Sequence, residues 1–175
     1  MSYDTQVCEE CGNHAVVDRF VGGDIVRECE FCGHLEGQTE TVELLELQRE
    51  AEARGSNPYS YPLAQFIDDM PGVKLLGDSG GDPKKGLMPF VAFELADHRT
   101  RQLENLGQGL RLLRGELKHR WVIEFTFEFQ LGFELRVRGD EGNFSLLDVE
   151  TAREDLLLIW RRLQGYRSLG WWKRD

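Results

Sequence analysis

Four cysteines stand in two pairs with the same internal spacing. Two residues separate Cys8 from Cys11, two separate Cys29 from Cys32, and a glycine follows each pair. This spacing lets one tight turn aim both thiolates of a pair at a single point, so the two pairs offer four tetrahedral ligands. The pattern predicts one structural Zn²⁺ at Cys8, Cys11, Cys29 and Cys32. Iron is the alternative metal for four thiolates.

The residues between the two pairs predict a β-hairpin. Val16-Val17 and Phe20-Val21 are typical of one strand, Gly22-Gly23-Asp24 of a turn, and Ile25-Val26 of a second strand. Residues 6–36 therefore resemble the zinc-ribbon superfamily, in which a hairpin joins two cysteine knuckles. The resemblance implies contact with nucleic acid or with protein. This segment is rich in Asp and Glu, so phosphate binding by it would work against charge repulsion.

A second motif, GDSGG at Gly77–Gly81, matches the residues around the nucleophile of chymotrypsin-like serine proteases. A serine nucleophile needs a histidine base and a carboxylate that orients it. The histidines that precede Ser79 are His14 and His34, and both adjoin the cysteine pairs. We interpret the stretch as a turn-rich loop, and we expect Ser79 to have no catalytic role.

Charge is distributed unevenly along the 175 residues. The net charge is −10, which disfavours nucleic acid and anionic membranes as partners of the whole molecule. Residues 1–54 carry 13 acidic and 4 basic side chains, whereas residues 98–120 carry 2 acidic and 6 basic ones. No apolar run follows the first methionine, which predicts neither a secretory signal nor a membrane span. We expect a cytoplasmic location, where cysteines stay reduced.

The pattern of turns and periodicities predicts four segments. Residues 1–38 form the ribbon, and residues 39–55 form an acidic connecting helix that Thr39 or Thr41 caps and Gly55 ends. Residues 56–89 are rich in Pro, Gly, Asp and Ser and predict a loop-rich linker, with one short helical turn at LAQFID. Residues 90–175 predict an α+β domain, in which a three- to four-stranded antiparallel sheet packs against helices.

Helical periodicity marks two segments of that domain. Leucines recur at spacings of three and four within residues 99–120, which predicts one apolar helix face (Leu103, Leu106, Leu110, Leu113, Leu117). Asp148 is expected to cap a final helix that Gly165 ends. Its predicted inward residues are Val149, Ala152, Leu156, Ile159, Trp160 and Leu163.

Strand periodicity marks residues 121–139. Every odd position from Ile123 to Val137 is apolar, and the even positions are polar apart from Gly132. One strand of this length would be too long for the domain, and a hairpin keeps the alternation only when its loop has an odd number of residues. We predict a three-residue loop, Gln130–Gly132, which sets Phe129 opposite Phe133 and Phe127 opposite Leu135. FSLL, at residues 144–147, is expected to add a third strand.

The residues outside the cysteine module form no recognisable catalytic constellation. We therefore expect a non-enzymatic protein that binds another protein. The alternative is a nucleic-acid-associated factor of transcription or translation that uses the basic residues of segment 98–120 and the adjacent tryptophans near the end. A third possibility is an acidic inhibitor or immunity-type protein. The candidate partner-binding residues are Arg99, Arg101, Arg111, Arg114, Lys118, Arg120, Trp171 and Trp172.

Overall fold

The computed structural model describes residues 7–96, 100–127, 132–139 and 148–170. The first elements form a three-stranded antiparallel sheet in the order β1-β2-β3. Its strands are β1 (Val16–Val21), β2 (Asp24–Cys29) and β3 (Leu35–Glu36). Glycine at positions 22 and 23, with φ of 55° and 84°, makes the turn between β1 and β2. The predicted ribbon hairpin is therefore present.

Helix α1 (Thr39–Arg54) follows the ribbon and ends where the sequence predicts. Gly55 has φ of 72°, and its N–H donates to the carbonyls of Ala51 and Glu52, as a left-handed helix cap does. The residue at the N-cap is Gln38, and its side chain makes no capping hydrogen bond. The predicted capping by Thr39 or Thr41 is wrong, since both residues lie inside the helix.

The segment predicted as a loop-rich linker, residues 56–89, contains two regular elements. Helix α2 (Tyr61–Asp68) buries six of its eight residues, and strand β4 (Val73–Ser79) pairs with β5 (Phe90–Leu95). The linker interpretation is therefore wrong for this part of the chain. The predicted helical turn at LAQFID is confirmed as part of α2, which is longer than expected. The strand was missed, because its weak alternation is interrupted at Leu76. The predicted domain boundaries remain predictions.

The second sheet has four antiparallel strands in the order β4-β5-β7-β6. Strands β6 (Trp121–Thr126) and β7 (Gly132–Val137) form the predicted hairpin, but the predicted register is wrong by four residues. Phe125 faces Phe133, Ile123 faces Leu135, and Thr126 faces Gly132. Any loop with an odd number of residues preserves the alternation, so the pattern did not determine which residues lie opposite each other. The predicted strand at 144–147 lies outside the described residues.

Helices α2 and α3 (Arg101–Leu113) pack on this sheet, and α4 (Val149–Ser168) packs against α1, α2 and α3. The predicted helix at 99–120 is shorter than expected and ends at Leu113. Lys118 and His119 lie beyond it and donate their backbone N–H groups to the carboxylate of Asp155 on α4. Asp148 caps α4 as predicted, and all six predicted inward residues of α4 are buried. Gly165 does not end α4, which continues to Ser168. The fold is α+β, as the sequence predicts.

One hydrophobic core joins the helices, the larger sheet and the tip of the ribbon. Val21, at the end of β1, belongs to the same buried cluster as Leu44 of α1 and Trp160 of α4. Arg161 of α4 donates to the carbonyl of Gly22 at 3.2 Å and to the Asp24 carboxylate at 2.5 Å. The hairpin turn is thus anchored against α1 and α4.

Candidate metal centre

Two knuckles of the same construction carry the four cysteines. In the first, Gly12 donates its backbone N–H to the carbonyl of Cys8 at 2.9 Å, and in the second, Gly33 donates to the carbonyl of Cys29 at 2.8 Å. Both glycines have positive φ, 71° and 77°, a conformation that side chains with a Cβ rarely adopt. The glycine that follows each pair therefore closes the turn that directs the thiols to one point.

The four sulfur atoms lie within 4.8 Å of one another. The Sγ atoms of Cys8 and Cys32 are 3.7 Å apart, and those of Cys11 and Cys29 are 3.6 Å apart. A disulfide would need about 2.05 Å. Four sulfurs placed 2.3 Å from a central Zn²⁺ form a tetrahedron with edges of about 3.8 Å, which agrees with these distances. The residues present therefore fit a tetrahedral thiolate-bound metal ion.

The electrostatics of the cluster also favour a bound cation. Hydrogen bonds from the side-chain amide and then the backbone N–H of Asn13 lower the pKa of Cys11 to about 6. The backbone amide of His34 favours the thiolate of Cys32, but burial and the hydrogen bonds with the other three thiols outweigh it and raise its pKa to about 12. Thiols this close do not all ionise unless a cation compensates their charge. A metal ion would provide that compensation.

The two histidines next to the knuckles do not belong to the sulfur cluster. His14 is exposed, and Nε2 of His34 lies 3.7 Å from a carboxylate oxygen of Glu36. With four sulfurs around one point, a tetrahedral ion would have no position open for water. This arrangement is typical of structural metal sites.

Charged side chains fix the ribbon beside α1. The Glu28 carboxylate on β2 accepts hydrogen bonds from Arg19 of β1, at 2.9 Å, and from Arg49 of α1. Burial alone would raise the pKa of Glu28, but the two guanidinium groups hold it below its usual range. The strand that carries Cys29 is therefore tied directly to the neighbouring helix.

The predicted basic residues fall on several elements rather than on one helix. Arg101 and Arg111 lie on α3, Arg114 is its C-cap, and Lys118 and Arg120 belong to the connection to β6. Arg99, Trp171 and Trp172 lie outside the described residues. Arg111, Arg114 and Arg120 do come together, because all three line one groove between α3 and β6.

That groove, the α3–β6 groove, has a volume of about 410 Å³. Its apolar lining includes Leu103, Leu110, Leu117, Ile123, Phe125 and Phe133. Phe125 is 67% exposed, and Phe127, just past β6, is 77% exposed. Exposed aromatic side chains of this size next to an apolar groove are typical of binding surfaces.

Sequence reasoning missed Asp155, which is 2% exposed. Its carboxylate accepts hydrogen bonds from the backbone of Lys118 and His119, and from the indole of Trp121 at 3.0 Å. The ring of His119 lies 3.3 Å from the same carboxylate. A signal was present: Asp155 falls three residues after Ala152 and four before Ile159, on the apolar face of α4. Asp155 fixes the path of the chain from α3 into β6.

The GDSGG stretch is held by packing and hydrogen bonds. Ser79 ends β4, and its hydroxyl accepts a hydrogen bond from the N–H of Gly81 at 3.1 Å. Arg153 of α4 donates to the carbonyl of Gly80 at 2.6 Å and to that of Gly81 at 3.0 Å. The interpretation as a turn-rich loop is wrong for Gly77–Ser79, which pair with β5 as the end of β4. The contacts hold both carbonyls and the Ser79 hydroxyl in place where the strand ends.

Comparisons of the chain with protein-family models, with curated proteins and with solved structures find no match. The resemblance of residues 6–36 to zinc ribbons therefore depends on the cysteine geometry alone. Among the described residues, no helix has the length and apolar character that crossing a membrane requires.

Proposed function

We propose that this protein is a protein-binding module whose N-terminal ribbon is stabilised by one structural Zn²⁺. The four-sulfur cluster supports the metal, because its distances match a filled tetrahedron of thiolates. Four sulfur ligands leave a tetrahedral ion no open position for water or substrate, as in structural sites rather than catalytic ones. We therefore propose a non-enzymatic role.

The observation that carries the binding role is the α3–β6 groove. Its apolar lining includes the largely exposed Phe125, and the exposed Phe127 follows two residues later in the chain. Leaving such side chains in water costs about 25 cal/mol per Å² of apolar area, which a partner would recover by covering them. An apolar surface of a protein partner would cover these side chains and so remove this unfavourable exposure to water.

The metal is tested by elemental analysis of protein purified without chelators. We expect one zinc per chain, and we expect Cys29→Ser to lose it. A colourless protein with zinc favours the proposal over iron, whose thiolate complexes absorb visible light. Protein that contains no metal would contradict the structural ion.

The binding role is tested by affinity capture from the native cell, with and without nuclease. We expect partner proteins that survive nuclease treatment and that are lost when both Phe125 and Phe127 are changed to serine. Leu169→Ser serves as a matched control, because Leu169 is also 77% exposed but lies at the end of α4. Capture that nuclease abolishes would contradict protein binding.

Three cations favour nucleic acid as a second candidate partner. Within the described residues, Arg111, Arg114 and Lys118 form no ion pair. If they contacted a duplex, the affinity would fall with salt with a log–log slope of about −0.9 per phosphate contacted. The net charge of −10 opposes this role, and we expect only the non-specific range, about 10⁻⁴–10⁻⁶ M. A salt titration with mixed-sequence DNA and RNA measures the difference.

A further inference from the structure

The outer edge of the larger sheet borders the α3–β6 groove. In the strand order β4-β5-β7-β6, strand β6 has a neighbour on one side only among the described residues. The N–H of Arg138 donates to the carbonyl of Arg120 at 2.8 Å, so these two residues form a hydrogen-bonded pair. Antiparallel pairs alternate, so residues 122, 124 and 126 bond to β7 as well.

The odd residues of β6 therefore turn their backbone groups away from β7. Trp121, Ile123 and Phe125 point both N–H and C=O toward the open edge, and their side chains line the groove. Within the described residues, none of these backbone groups bonds to another element. A row of free donors and acceptors thus lies directly beside an apolar groove.

The opposite edge of the sheet differs from β6. Strand β4 has a register shift between Leu75 and Gly77, and Lys74 projects from it to Glu94 at 2.9 Å. Bulges and lysines are the usual devices that prevent an edge from pairing with another strand. Strand β6 has a continuous register over its six residues and contains no lysine. Of the two edge strands that the described residues form, β6 is therefore the one suited to accept another strand.

The charge of the groove indicates the chemistry of an occupant. Among the described residues of its lining, the charged ones are Arg111, Arg114 and Arg120, and none is Asp or Glu. Arg111 and Arg114 are exposed and have no ion-pair partner among the described residues. In a chain with a net charge of −10, this local positive charge selects for acidic side chains.

Gly107 of α3 leaves room for a backbone to approach. It lines the groove, and a Cβ built at this position would meet nothing within 4 Å. Glycine is unfavourable inside a helix, by about 1 kcal/mol relative to alanine. Its position on the groove side keeps open the space that an added strand would occupy.

We propose that the α3–β6 groove binds an extended segment of a partner protein, which adds to β6 as a fifth strand. Its alternate apolar side chains enter the groove, and its acidic side chains meet Arg111 and Arg114. Addition of a strand to an open edge obtains affinity from backbone hydrogen bonds and specificity from the side-chain pockets. This inference rests on the proposed function and names the surface and the kind of partner.

The probe is a capped peptide of about ten residues in which valine and glutamate alternate. We expect fluorescence anisotropy to detect binding to the full chain. Replacing every glutamate by lysine should weaken binding at least about tenfold, or 1.4 kcal/mol, because the arginines would repel the peptide. Arg111→Ala with Arg114→Ala should reduce this difference between the two peptides.

Backbone methylation tests whether the peptide pairs as a strand. N-methylation of the valines, or of the glutamates, removes one alternate set of N–H donors and keeps every side chain. Methylation of one set should abolish binding, and methylation of the other set should not. Methylated valines abolish antiparallel addition, and methylated glutamates abolish parallel addition. Equal effects of the two sets would overturn strand addition.

Substitution of Gly107 tests the place of binding. Gly107→Leu should fill the groove and weaken peptide binding at least about tenfold. Gly107→Ala is the matched control: it adds only a Cβ in open space, should stabilise α3, and should bind nearly as well as the unchanged protein. Unaltered binding by Gly107→Leu would overturn the site.

Hydrogen exchange gives a readout of the edge itself. On binding, the amides of Trp121, Ile123 and Phe125 should become slower to exchange, while those of residues 122 and 124 change little. Protection confined to α3, with no change in β6, would overturn strand addition. Tighter binding of single-stranded RNA, or of a small apolar carboxylate such as decanoate, with competition for the peptide, would also overturn it.

The outcome separates this inference from the proposed function. If the peptide does not bind, and Gly107→Leu captures the same nuclease-resistant proteins as the unchanged chain, then strand addition is wrong and protein binding stands. If the unchanged chain captures no nuclease-resistant protein, the proposed function itself fails.

Discussion

At the scale of single residues, the glycines of the GDSGG stretch meet a packing requirement. A Cβ on Gly80 would lie 2.0 Å from Oδ1 of Asn57. That oxygen accepts the N–H of Tyr59 at 3.0 Å and of Ser60 at 3.4 Å, just before α2. The stretch therefore lies against the start of a helix, and glycine is needed for close approach.

Gly80→Ala should destabilise the protein by about 1–3 kcal/mol, because the new methyl group displaces Asn57 from these hydrogen bonds. Gly77→Ala is the matched control, since a Cβ there meets nothing within 4 Å and Gly77 lies in the same GDSGG stretch, within β4. Denaturant unfolding measures both changes. Equal, small effects would contradict the packing that we describe.

Asp148 links a single carboxylate to the pH dependence of stability. Hydrogen bonds from Thr151 and then Glu150, at the start of α4, outweigh the effect of burial and hold the pKa of Asp148 below its usual range. A lowered pKa in the folded state stabilises the protein above the unfolded pKa, and this contribution is lost as the pH falls through the folded value.

Asp148→Asn should therefore remove one acid-dependent part of the stability while keeping a capping side chain. We expect its melting temperature to fall less than that of the unchanged protein between neutral pH and about pH 3. Thermal unfolding over a pH series makes the comparison. Parallel pH profiles would contradict the assigned role of the carboxylate.

At the scale of elements, the phenylalanines in and next to the hairpin β6–β7 differ in burial. Phe133 is 6% exposed, and its ring lies 5.7 Å from that of Phe93 and 5.1 Å from that of Phe125, centre to centre. Phe127 follows the end of β6 and is 77% exposed. The two phenylalanines thus differ greatly in burial, although the sequence pattern treats them alike.

Phe133→Ala should cost about 3–5 kcal/mol, as loss of a buried phenylalanine does. Phe127→Ala should change the free energy of unfolding by no more than about 0.5 kcal/mol. Chemical denaturation of the two variants measures the difference. If Phe127→Ala lowers the free energy of unfolding as much as Phe133→Ala does, this result would contradict the observed register. It would instead support the predicted register, in which Phe127 lies opposite Leu135.

The accuracy of the sequence-based predictions depended on whether the deciding interaction was local. The knuckles, the Asp148 cap and the Gly55 cap are local, and the sequence predicted them. The register of β6–β7 depends on tight packing of Gly132, whose Cβ would lie 3.1 Å from Leu76 and from Thr126. The path of the chain from α3 into β6 depends on Asp155, 37 residues from Lys118. The periodicity of α4 marks Asp155 as a carboxylate on an apolar face, but it does not show which distant groups that carboxylate contacts.

The candidate functional residues also include some that the sequence predicted and some that depend on the whole fold. The sequence predicted the four cysteines because their ligand spacing is a local property. It predicted that Arg111, Arg114 and Arg120 bind a partner, but on one long helix. The α3–β6 groove depends on where β6 lies in the sheet, and the strand order is a property of the whole fold.

At the scale of the whole molecule, the ribbon is attached to the body at its tip, and Arg49 of α1 also bonds to Glu28, next to Cys29, near the end that carries the cysteines. Val21 and the turn at Gly22 pack into the core, where a Cβ on Gly22 would lie 2.8 Å from Leu44. Arg161 holds the same turn to α4. The cysteines lie at the other end of the same two strands, so metal binding and core packing act on one hairpin.

Removal of the metal should therefore destabilise the body as well as the ribbon. An ion present at 1,000 times its Kd stabilises the folded chain by about 4 kcal/mol, and about 1 kcal/mol shifts the melting temperature by about 2–4 °C at this size. We expect a chelator to lower the melting temperature by about 10 °C, and added Zn²⁺ to restore it.

Hydrogen exchange of the α4 amides shows whether the body responds. Chelation should speed their exchange in the unchanged protein, because the hairpin tip that packs on α4 loses its support. Arg161→Leu removes the bonds to Gly22 and Asp24, so chelation should then affect α4 less. Two separate unfolding transitions, with α4 insensitive to the chelator, would instead show that the ribbon is an independent domain.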